Sequence, residues 1–327
     1  MTDDSSNWSF PPVLQPQAAL LPFDLEAALR SVLRVRSEIP ADAFTAAALG
    51  TERIGNGIVI AAAGRKVILT IGYLIAEAQH IWLTTHDGRE LPGHALAHDQ
   101  VTGFGLILPL GELDSPALEL GSSKQLAIGS EVTVIGHGGI RHAINSKLIA
   151  KREFAGYWEY LLEEALLVAP PHPQWGGTAL LDAQGKLAGL GSLLIQENVS
   201  GDQFDANLFV PIDLLAPILD DLLTTGKTRQ PERPWLGLYT TEQNGQLVIA
   251  GVAQRGPAHE ARLRNGDIVT HVAGRAVHTL PQFYRALWAQ GNAGSMITLD
   301  IKHGKQGRTI KLRSASRDDY LFKPKAH

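Results

Sequence analysis

The sequence predicts a mainly β protein that ends in a small α+β module, and two observations lead to this fold class. Residues 50 to 212 consist largely of short apolar segments such as KVILTIG and EVTVIGHGG, separated by Gly, Asp, Asn and Pro. Such spacing is typical of barrels and sandwiches, here of two small barrels. Residues 235 to 315 instead combine short strands with one well-marked helix, LPQFYRALWAQ. The charged, proline-containing stretch TRQPERP lies between them and predicts a linker.

Two helices are expected outside the strand-rich region. Apolar residues at helical spacing predict one over residues 23 to 39, with Asp24 as its N-cap and Pro40 beyond its end. The amphipathic stretch 212 to 227 predicts the other. The predicted organisation is an N-terminal arm and helix at 1–48, a strand-rich domain at 49–227, the linker at 228–234, the α+β module at 235–315 and a C-terminal tail at 316–327.

Composition excludes several classes of function. The net charge of −4 and the pI near 6.3 give no general attraction to nucleic acid or anionic membranes. The chain has no cysteine, which excludes disulfides, thiol catalysis and Cys-ligated zinc. His94 and His98 stand four residues apart in a strand-like segment, where the rise alone separates them by about 13 Å, so no metal site is expected there. We expect neither a cofactor nor a metal.

Location and membrane association are predicted from the N-terminus and from the most apolar stretch. The opening residues MTDDSSNWSFPPVLQPQ carry no basic region followed by an apolar core, which predicts a cytoplasmic protein, or a periplasmic one if the N-terminus has been trimmed. Residues 57 to 78 are strongly apolar, but Gly64, Arg65 and Lys66 divide them into two runs too short to span a bilayer. A hairpin of buried strands is expected instead.

The C-terminal module resembles a PDZ domain of the HtrA (Deg) protease type. The resemblance rests on WLGL at 235 to 238, on GPA and GDIV between 256 and 269, on AGRAV at 273 to 277, and on the helix that follows. It implies that backbone N–H groups of the WLGL loop capture a C-terminal carboxylate while the peptide adds as a strand to the sheet edge. The implied peptide-binding residues are Trp235, Leu236, Gly237, Leu238, Tyr284 and Leu287.

The strand-rich region resembles the trypsin-like protease domain that precedes PDZ in that family, but the residues that carry catalysis differ. The family places Gly-Asn-Ser-Gly-Gly at the nucleophile turn, whereas PQWGG puts Trp175 at the serine position. The general-base histidine follows ILT by three residues, and ILTIGYLI puts Tyr73 there. The orienting aspartate belongs to a pattern like DPRTDIALL, and DQVTGFGLI keeps Asp99 but places Gly103 at the orienting position.

These replacements predict that serine-protease chemistry is lost. The mechanism needs a hydroxyl nucleophile, a base that titrates near neutrality and a carboxylate that fixes the base's tautomer. Indole is no acyl nucleophile, tyrosine has a reference pKa of about 10, and glycine has no side chain. The backbone N–H that would help to form the oxyanion hole falls at Pro173, which has none. One such donor is worth about 2.7–4 kcal/mol of transition-state stabilisation.

Two other interpretations stay open. Ser192, His172 and Asp99 have the residue types of a displaced triad, which would make the chain an active serine endopeptidase with a rearranged site. The module could also pack on its neighbour without binding peptide. The favoured hypothesis is a catalytically inactive HtrA-like scaffold or regulator that binds peptide or protein C-termini. Trp8 and Phe10 in the arm resemble the aromatic residues through which active relatives form trimers, so a homotrimer or assembly with an active relative is expected.

Overall fold

The computed structural model describes residues 8–199 and 202–322, which form two compact units. The first unit comprises residues 8–152, 164–199 and 202–228, and the second comprises 153–163 and 229–322. Within these described ranges, no helix has the length and apolar character needed to cross a bilayer.

The first unit contains two closed β-barrels. Strands of the first barrel are β1 (Val32–Glu38), β2 (Glu52–Ala62), β3 (Arg65–Ile71), β4 (His80–Thr84), β5 (Glu90–His98) and β6 (Phe104–Pro109), in the order β1-β2-β3-β6-β5-β4. Strands of the second are β7 (Glu131–Ile135), β8 (Ala143–Gly156), β9 (Tyr160–Ala169), β10 (Ala179–Leu181), β11 (Leu187–Val199) and β12 (Asp202–Pro211), in the order β10-β11-β12-β9-β8-β7. Antiparallel pairing is the rule in both, and closure leaves no free sheet edge.

Three short helices accompany the barrels: α1 (Leu25–Arg30), α2 (Ala46–Leu49) and α3 (Leu219–Thr225). The predicted helix over 23–39 is wrong in its second half. Asp24 caps α1 by accepting the Ala27 N–H, but the helix ends at Arg30, and Val32–Glu38 forms β1. The segment VLRVRSE alternates between buried and partly exposed positions and pairs with β2 and β4 on its two sides, so tertiary pairing overrides the helical spacing. The first barrel therefore begins within the segment that was assigned to the arm.

The second unit is built on a sheet of β13 (Leu238–Gln243), β14 (Gln246–Val252), β15 (Ile268–Val272), β17 (Met296–His303) and β18 (Gln306–Arg313), with β16 (Arg275–Ala276) paired to β15. Helix α4 (Pro257–Glu260) and helix α5 (Leu280–Trp288) cover it. Thr279 caps α5 through its side chain, and Phe283, Tyr284, Ala286 and Leu287 are buried on it. This confirms the mainly β fold class with a small α+β module at the C-terminal end.

The end of β8, the turn after it and the start of β9 cluster with the second unit, although the sequence assigned them to the trypsin-like domain. Leu161 shows the physical reason, because its side chain is 6% exposed and belongs to the same hydrophobic core as Leu236, Tyr284 and Leu287. Residues 153–163 are therefore a structural part of the second unit.

Candidate functional site

The residues predicted at the nucleophile and base positions lie close to each other where the two barrels meet. Tyr73 lies in the 3-10 turn Gly72–Leu74 that follows β3, and Trp175 lies in the turn before β10. The Tyr73 hydroxyl donates to the Ser192 carbonyl oxygen at 2.9 Å. The Trp175 indole, which can only donate, lies near the same hydroxyl and favours its anionic form.

The Tyr73 hydroxyl is not suited to proton abstraction at neutral pH. Burial raises the pKa of the Tyr73 hydroxyl well above its ordinary value of about 10, and the nearby Trp175 indole offsets only part of that effect. A phenol that stays protonated and already donates to a carbonyl is a structural donor rather than a base.

The two glycines after Trp175 are required by close backbone approaches. Gly177 has φ +77°, and a Cβ there would lie 1.9 Å from the Asn56 carbonyl oxygen. A Cβ on Gly176 would lie 2.7 Å from the Tyr73 hydroxyl oxygen. The Gly-Gly pair therefore permits both the tight turn and the approach of Tyr73 to it.

Asn56 on β2 holds the turn from the other side. Its side-chain amide donates to the Gln174 carbonyl at 2.9 Å and to the Gly176 carbonyl at 3.0 Å, while its backbone N–H donates to the Gly176 carbonyl at 2.8 Å. Its side-chain oxygen accepts the His137 N–H at 2.8 Å. These bonds fix the carbonyls of the turn, and Pro173, which carries no N–H, is exposed at its start.

Gly103, at the predicted position of the orienting carboxylate, adopts φ +85°. Its carbonyl accepts the Gly72 N–H at 2.7 Å, directly before Tyr73. The neighbouring Asp99 is buried, and its carboxylate accepts the N–H and the hydroxyl of Thr102 at 2.8 and 2.6 Å. Asp99 therefore stabilises its own turn.

The candidates for a displaced triad have separate partners. His172 is fully buried, with Nε2 3.1 Å from the His142 carbonyl oxygen and Nδ1 accepting the Gln174 N–H at 3.1 Å. Both ring nitrogens are thus engaged, and Nε2 must carry the proton because a carbonyl only accepts. Burial lowers the pKa of His172 to about 4, which disfavours the imidazolium that a general base must form. These contacts do not join His172 to Ser192 or to Asp99.

The aromatic residues of the arm pack within their own chain. The Trp8 ring lies 4.2 Å from the His142 ring and 5.3 Å from the His172 ring, measured between centroids, and contacts Phe10 edge-on at 5.1 Å. The Phe10 N–H donates to the Arg141 carbonyl, and Phe10 packs on the core of the second barrel. Trp8 and Phe10 are thus engaged intramolecularly, and trimer formation through them stays a prediction.

The second unit contains a carboxylate-binding loop, defined as Trp235–Leu238, and its donors are in use. The carboxylate of Glu159, in the turn between β8 and β9, accepts the N–H of Leu236 at 3.2 Å, of Gly237 at 2.8 Å and of Leu238 at 2.9 Å. Gly237 has φ +77°, which turns successive N–H groups towards one point. Three converging backbone donors are an anion site, and the anion here is a side chain of the same unit.

The backbone beside Glu159 forms hydrogen bonds with β13 and with α5. The Thr240 N–H on β13 donates to the Tyr157 carbonyl at 3.0 Å, as one bond of an added strand would. The Tyr284 hydroxyl on α5 donates to the Gly156 carbonyl at 2.6 Å and accepts the Glu159 N–H at 3.2 Å. The turn 156–159 is therefore held by the loop, by β13 and by α5.

Tyr284 and Leu287, the helix residues predicted to line the groove, are both fully buried. Tyr284 reaches the turn through its hydroxyl, whereas Leu287 belongs to the hydrophobic core. Trp235 is 7% exposed and pairs through its backbone with Ala315. The sequence did not reveal Glu159, because an acidic residue at a turn has no local signal that marks it as a partner for a loop 77 residues later.

Comparison with known proteins identifies both units. A family described as trypsin-like peptidase domain matches residues 55–190, and one described as PDZ domain matches residues 234–313. A curated relative from Pseudomonas fluorescens, named a probable periplasmic serine endoprotease DegP-like, is 26% identical over 84% of this chain and 60% of its own length. The two matched domains and this relative support membership of the HtrA-type family. A serine protease Do-like HtrA from Bacillus subtilis is 21% identical over 81% of this chain and 64% of its own length.

Solved HtrA structures share the fold. An HtrA-type protease AlgW with a tripeptide superposes with a TM-score of 0.51 at 20% identity, covering 90% of this chain and 98% of that one. A serine endoprotease from Yersinia pestis gives a TM-score of 0.50 at 18% identity, covering 90% and 99%. The HtrA-type chain described here spans about half to two thirds of the length of the curated relatives above.

The predicted cytoplasmic location is wrong. Relatives from Pseudomonas fluorescens and Hahella chejuensis are both named probable periplasmic endoproteases, which points to the periplasm. The prediction relied on the composition of the first residues alone. Among the described residues, no group of three or more His, Asp or Glu side chains could hold a metal ion.

Proposed function

We propose that this HtrA-type protein is catalytically inactive and acts as a peptide- or protein-binding scaffold or regulator through its PDZ domain. The observation that carries the proposal is the buried Tyr73 hydroxyl, which donates to the Ser192 carbonyl near Trp175, at the positions where the family's base and nucleophile are expected. Acyl transfer needs a nucleophile and a base that can accept its proton, and Trp175 and Tyr73 supply neither. Its ligands are peptide or protein C-termini, and its site of action is the periplasm of the named relatives.

A protease assay tests the loss of catalysis. Purified full-length protein is incubated with unfolded casein and, in parallel, with a fluorophosphonate that labels activated serines. Trp175→Ala and Ser192→Ala serve as variants, and an active HtrA relative as the positive control. We expect neither cleavage nor labelling by the wild type. Cleavage that survives repurification and disappears in Ser192→Ala would establish a rearranged active site and refute the proposal.

The binding role has its own test, because loss of catalysis does not by itself establish peptide capture. Fluorescein-labelled decapeptides with a free C-terminal carboxylate are titrated with protein, and polarisation is compared with that of the same peptides carrying a C-terminal amide. Recognition by backbone donors of the loop requires the free carboxylate. Equal binding of acid and amide forms would exclude C-terminal recognition as the function.

A further inference from the structure

The carboxylate-binding loop and its internal partner form a matched pair. The loop offers three backbone N–H groups, and the Glu159 carboxylate accepts all three, with distances from 2.8 to 3.2 Å. A C-terminal carboxylate presents the same planar pair of oxygens at the end of a chain. Both anions need the same donors, so they cannot be bound at the same time.

Two further features show that the turn around Glu159 is built for this contact. Glu159 adopts φ +60°, a left-handed conformation that is unfavourable for a non-glycine residue and persists where surrounding contacts fix it. Two residues later, Leu161 inserts an apolar side chain into the core that contains Leu236 and Tyr284. Glu159 thus places a carboxylate on the loop, and Leu161 places an apolar side chain in the core. A peptide that ends in an apolar residue would be held by the same two contacts.

The contact between Glu159 and the loop is also of a kind that a ligand carboxylate can replace. Removing the carboxylate of Glu159 from water raises its pKa to about 7, so part of the hydrogen-bond energy is offset by desolvation. The flanking ion pairs of Arg285 with Glu153 and Glu163 lie at the surface and contribute little. The occupied state is therefore held by a few hydrogen bonds and one inserted Leu side chain.

We propose that the peptide groove of this protein is occupied by its own β8–β9 turn, with Glu159 as an internal substitute for a C-terminal carboxylate, and that a ligand binds by displacing this turn. The proposal rests on the proposed function in one respect, since it assumes that the groove's ligands carry a free C-terminal carboxylate. Apparent affinity then equals the intrinsic affinity multiplied by the fraction of molecules in which the turn is released.

The first experiment measures occupancy without any ligand. Hydrogen–deuterium exchange of the full chain is followed by mass spectrometry in peptides that cover residues 236–238, for wild type, Glu159→Ala and the control Glu164→Ala. Glu164 is exposed on β9, five residues from Glu159. We expect protection in wild type and control, and exchange at least roughly tenfold faster in Glu159→Ala. Equal exchange rates in wild type and Glu159→Ala would overturn self-occupancy.

The second experiment measures competition. The probes are fluorescein decapeptides ending in Ala, Val, Leu or Phe with a free carboxylate, and their amidated forms. We expect at least one acid-form peptide to bind Glu159→Ala roughly 10–100-fold more tightly than wild type or Glu164→Ala, because removing the competitor raises the available fraction of grooves. Glu159→Gln, which keeps the shape but not the charge, should fall between them. Equal affinity for wild type and Glu159→Ala would refute displacement while leaving peptide binding intact.

A cross-link separates failure of this proposal from failure of the proposed function. The chain has no cysteine, so Tyr157→Cys and Tyr239→Cys, whose tyrosine rings lie 6.1 Å apart, can be joined selectively by a short bismaleimide. The cross-linked protein should lose peptide binding, and undiminished binding would contradict the proposal. If Glu159→Ala exchanges fast at 236–238 yet binds none of the acid-form peptides, self-occupancy stands and the displacement model and peptide capture both fail.

Discussion

The Tyr73→Phe substitution tests whether the residue at the predicted base position acts as a structural group. The change deletes one hydroxyl and leaves the ring in place. It removes the donor to the Ser192 carbonyl at 2.9 Å. An unsatisfied buried polar group costs about 1–3 kcal/mol, and the Ser192 carbonyl loses the Tyr73 donor here. We therefore expect the first unit to lose about 1–3 kcal/mol of unfolding free energy.

The assay is calorimetric unfolding of the full chain. For a unit of about 200 residues, each 1 kcal/mol lowers Tm by roughly 2–4 °C, so the transition of the first unit should fall by at least about 2 °C. The control is Tyr157→Phe, whose side chain is 53% exposed and whose substitution should stay within about 0.5 kcal/mol. A double-mutant cycle with Trp175→Phe should give a coupling energy of about 0.5–3 kcal/mol.

Several results would refute this reasoning. An unchanged or higher Tm in Tyr73→Phe would mean that the hydroxyl contributes nothing where the two barrels meet. A coupling energy near zero would mean that the indole and the phenol do not interact. Either outcome would leave Tyr73 without a defined structural role. It would also weaken the proposal that packing and hydrogen bonding have replaced catalytic chemistry at this site.

Three other predictions follow from the same contacts. Restoring Ser, His and Asp at the three triad-equivalent positions should leave casein cleavage at least roughly 10²-fold below an active relative while Pro173 remains, and adding Pro173→Gly should raise it. Burial raises the pKa of Glu159 to about 7 against the loop donors and Arg317, so the proton-linked stability at this carboxyl should be complete below about pH 4.5 and lost as pH rises through 7, and the Tm of wild type should fall relative to Glu159→Gln between pH 5 and 8. Glu77→Ala should destabilise by about 1–3 kcal/mol in urea unfolding, because the Phe44 N–H and the N–H and hydroxyl of Thr45 lose the buried carboxylate that accepts them.

Fold class and family were predictable because they depend on patterns spread along the chain. Alternating apolar strands between Gly, Asp and Pro turns specify barrels, and the WLGL and GDIV segments keep their spacing in the second unit. The helix expected over 23–39 shows the limit of this reasoning. Apolar residues at helical spacing run through both residues 25 to 30 and residues 32 to 38. Only pairing with β2 and β4 makes the second segment a strand.

The candidate site was predictable only in part. Spacing from ILT and from Gly-Gly indicated Tyr73 and Trp175, but no sequence rule shows that the Tyr73 hydroxyl will donate to the Ser192 carbonyl, 119 residues away. Glu159 was missed entirely, because its role depends on an αL turn that directs its carboxylate to a loop whose own sequence carries no positive charge. Contacts that depend on long sequence separation and on backbone N–H groups leave no compositional signal.

At both the triad-equivalent positions and the carboxylate-binding loop, groups of the protein itself form the hydrogen bonds, but the consequences differ. At the triad-equivalent positions, the Tyr73 hydroxyl donates to a carbonyl near Trp175, and no ligand can change which side chains stand there. At the loop, Glu159 satisfies three donors, and under the proposed displacement its occupancy is an equilibrium that depends on ligand concentration. On the proposed function, the protein responds to peptide C-termini by exchange at the loop. The affinity of that exchange, rather than any turnover number, would then set the concentration range over which the protein works.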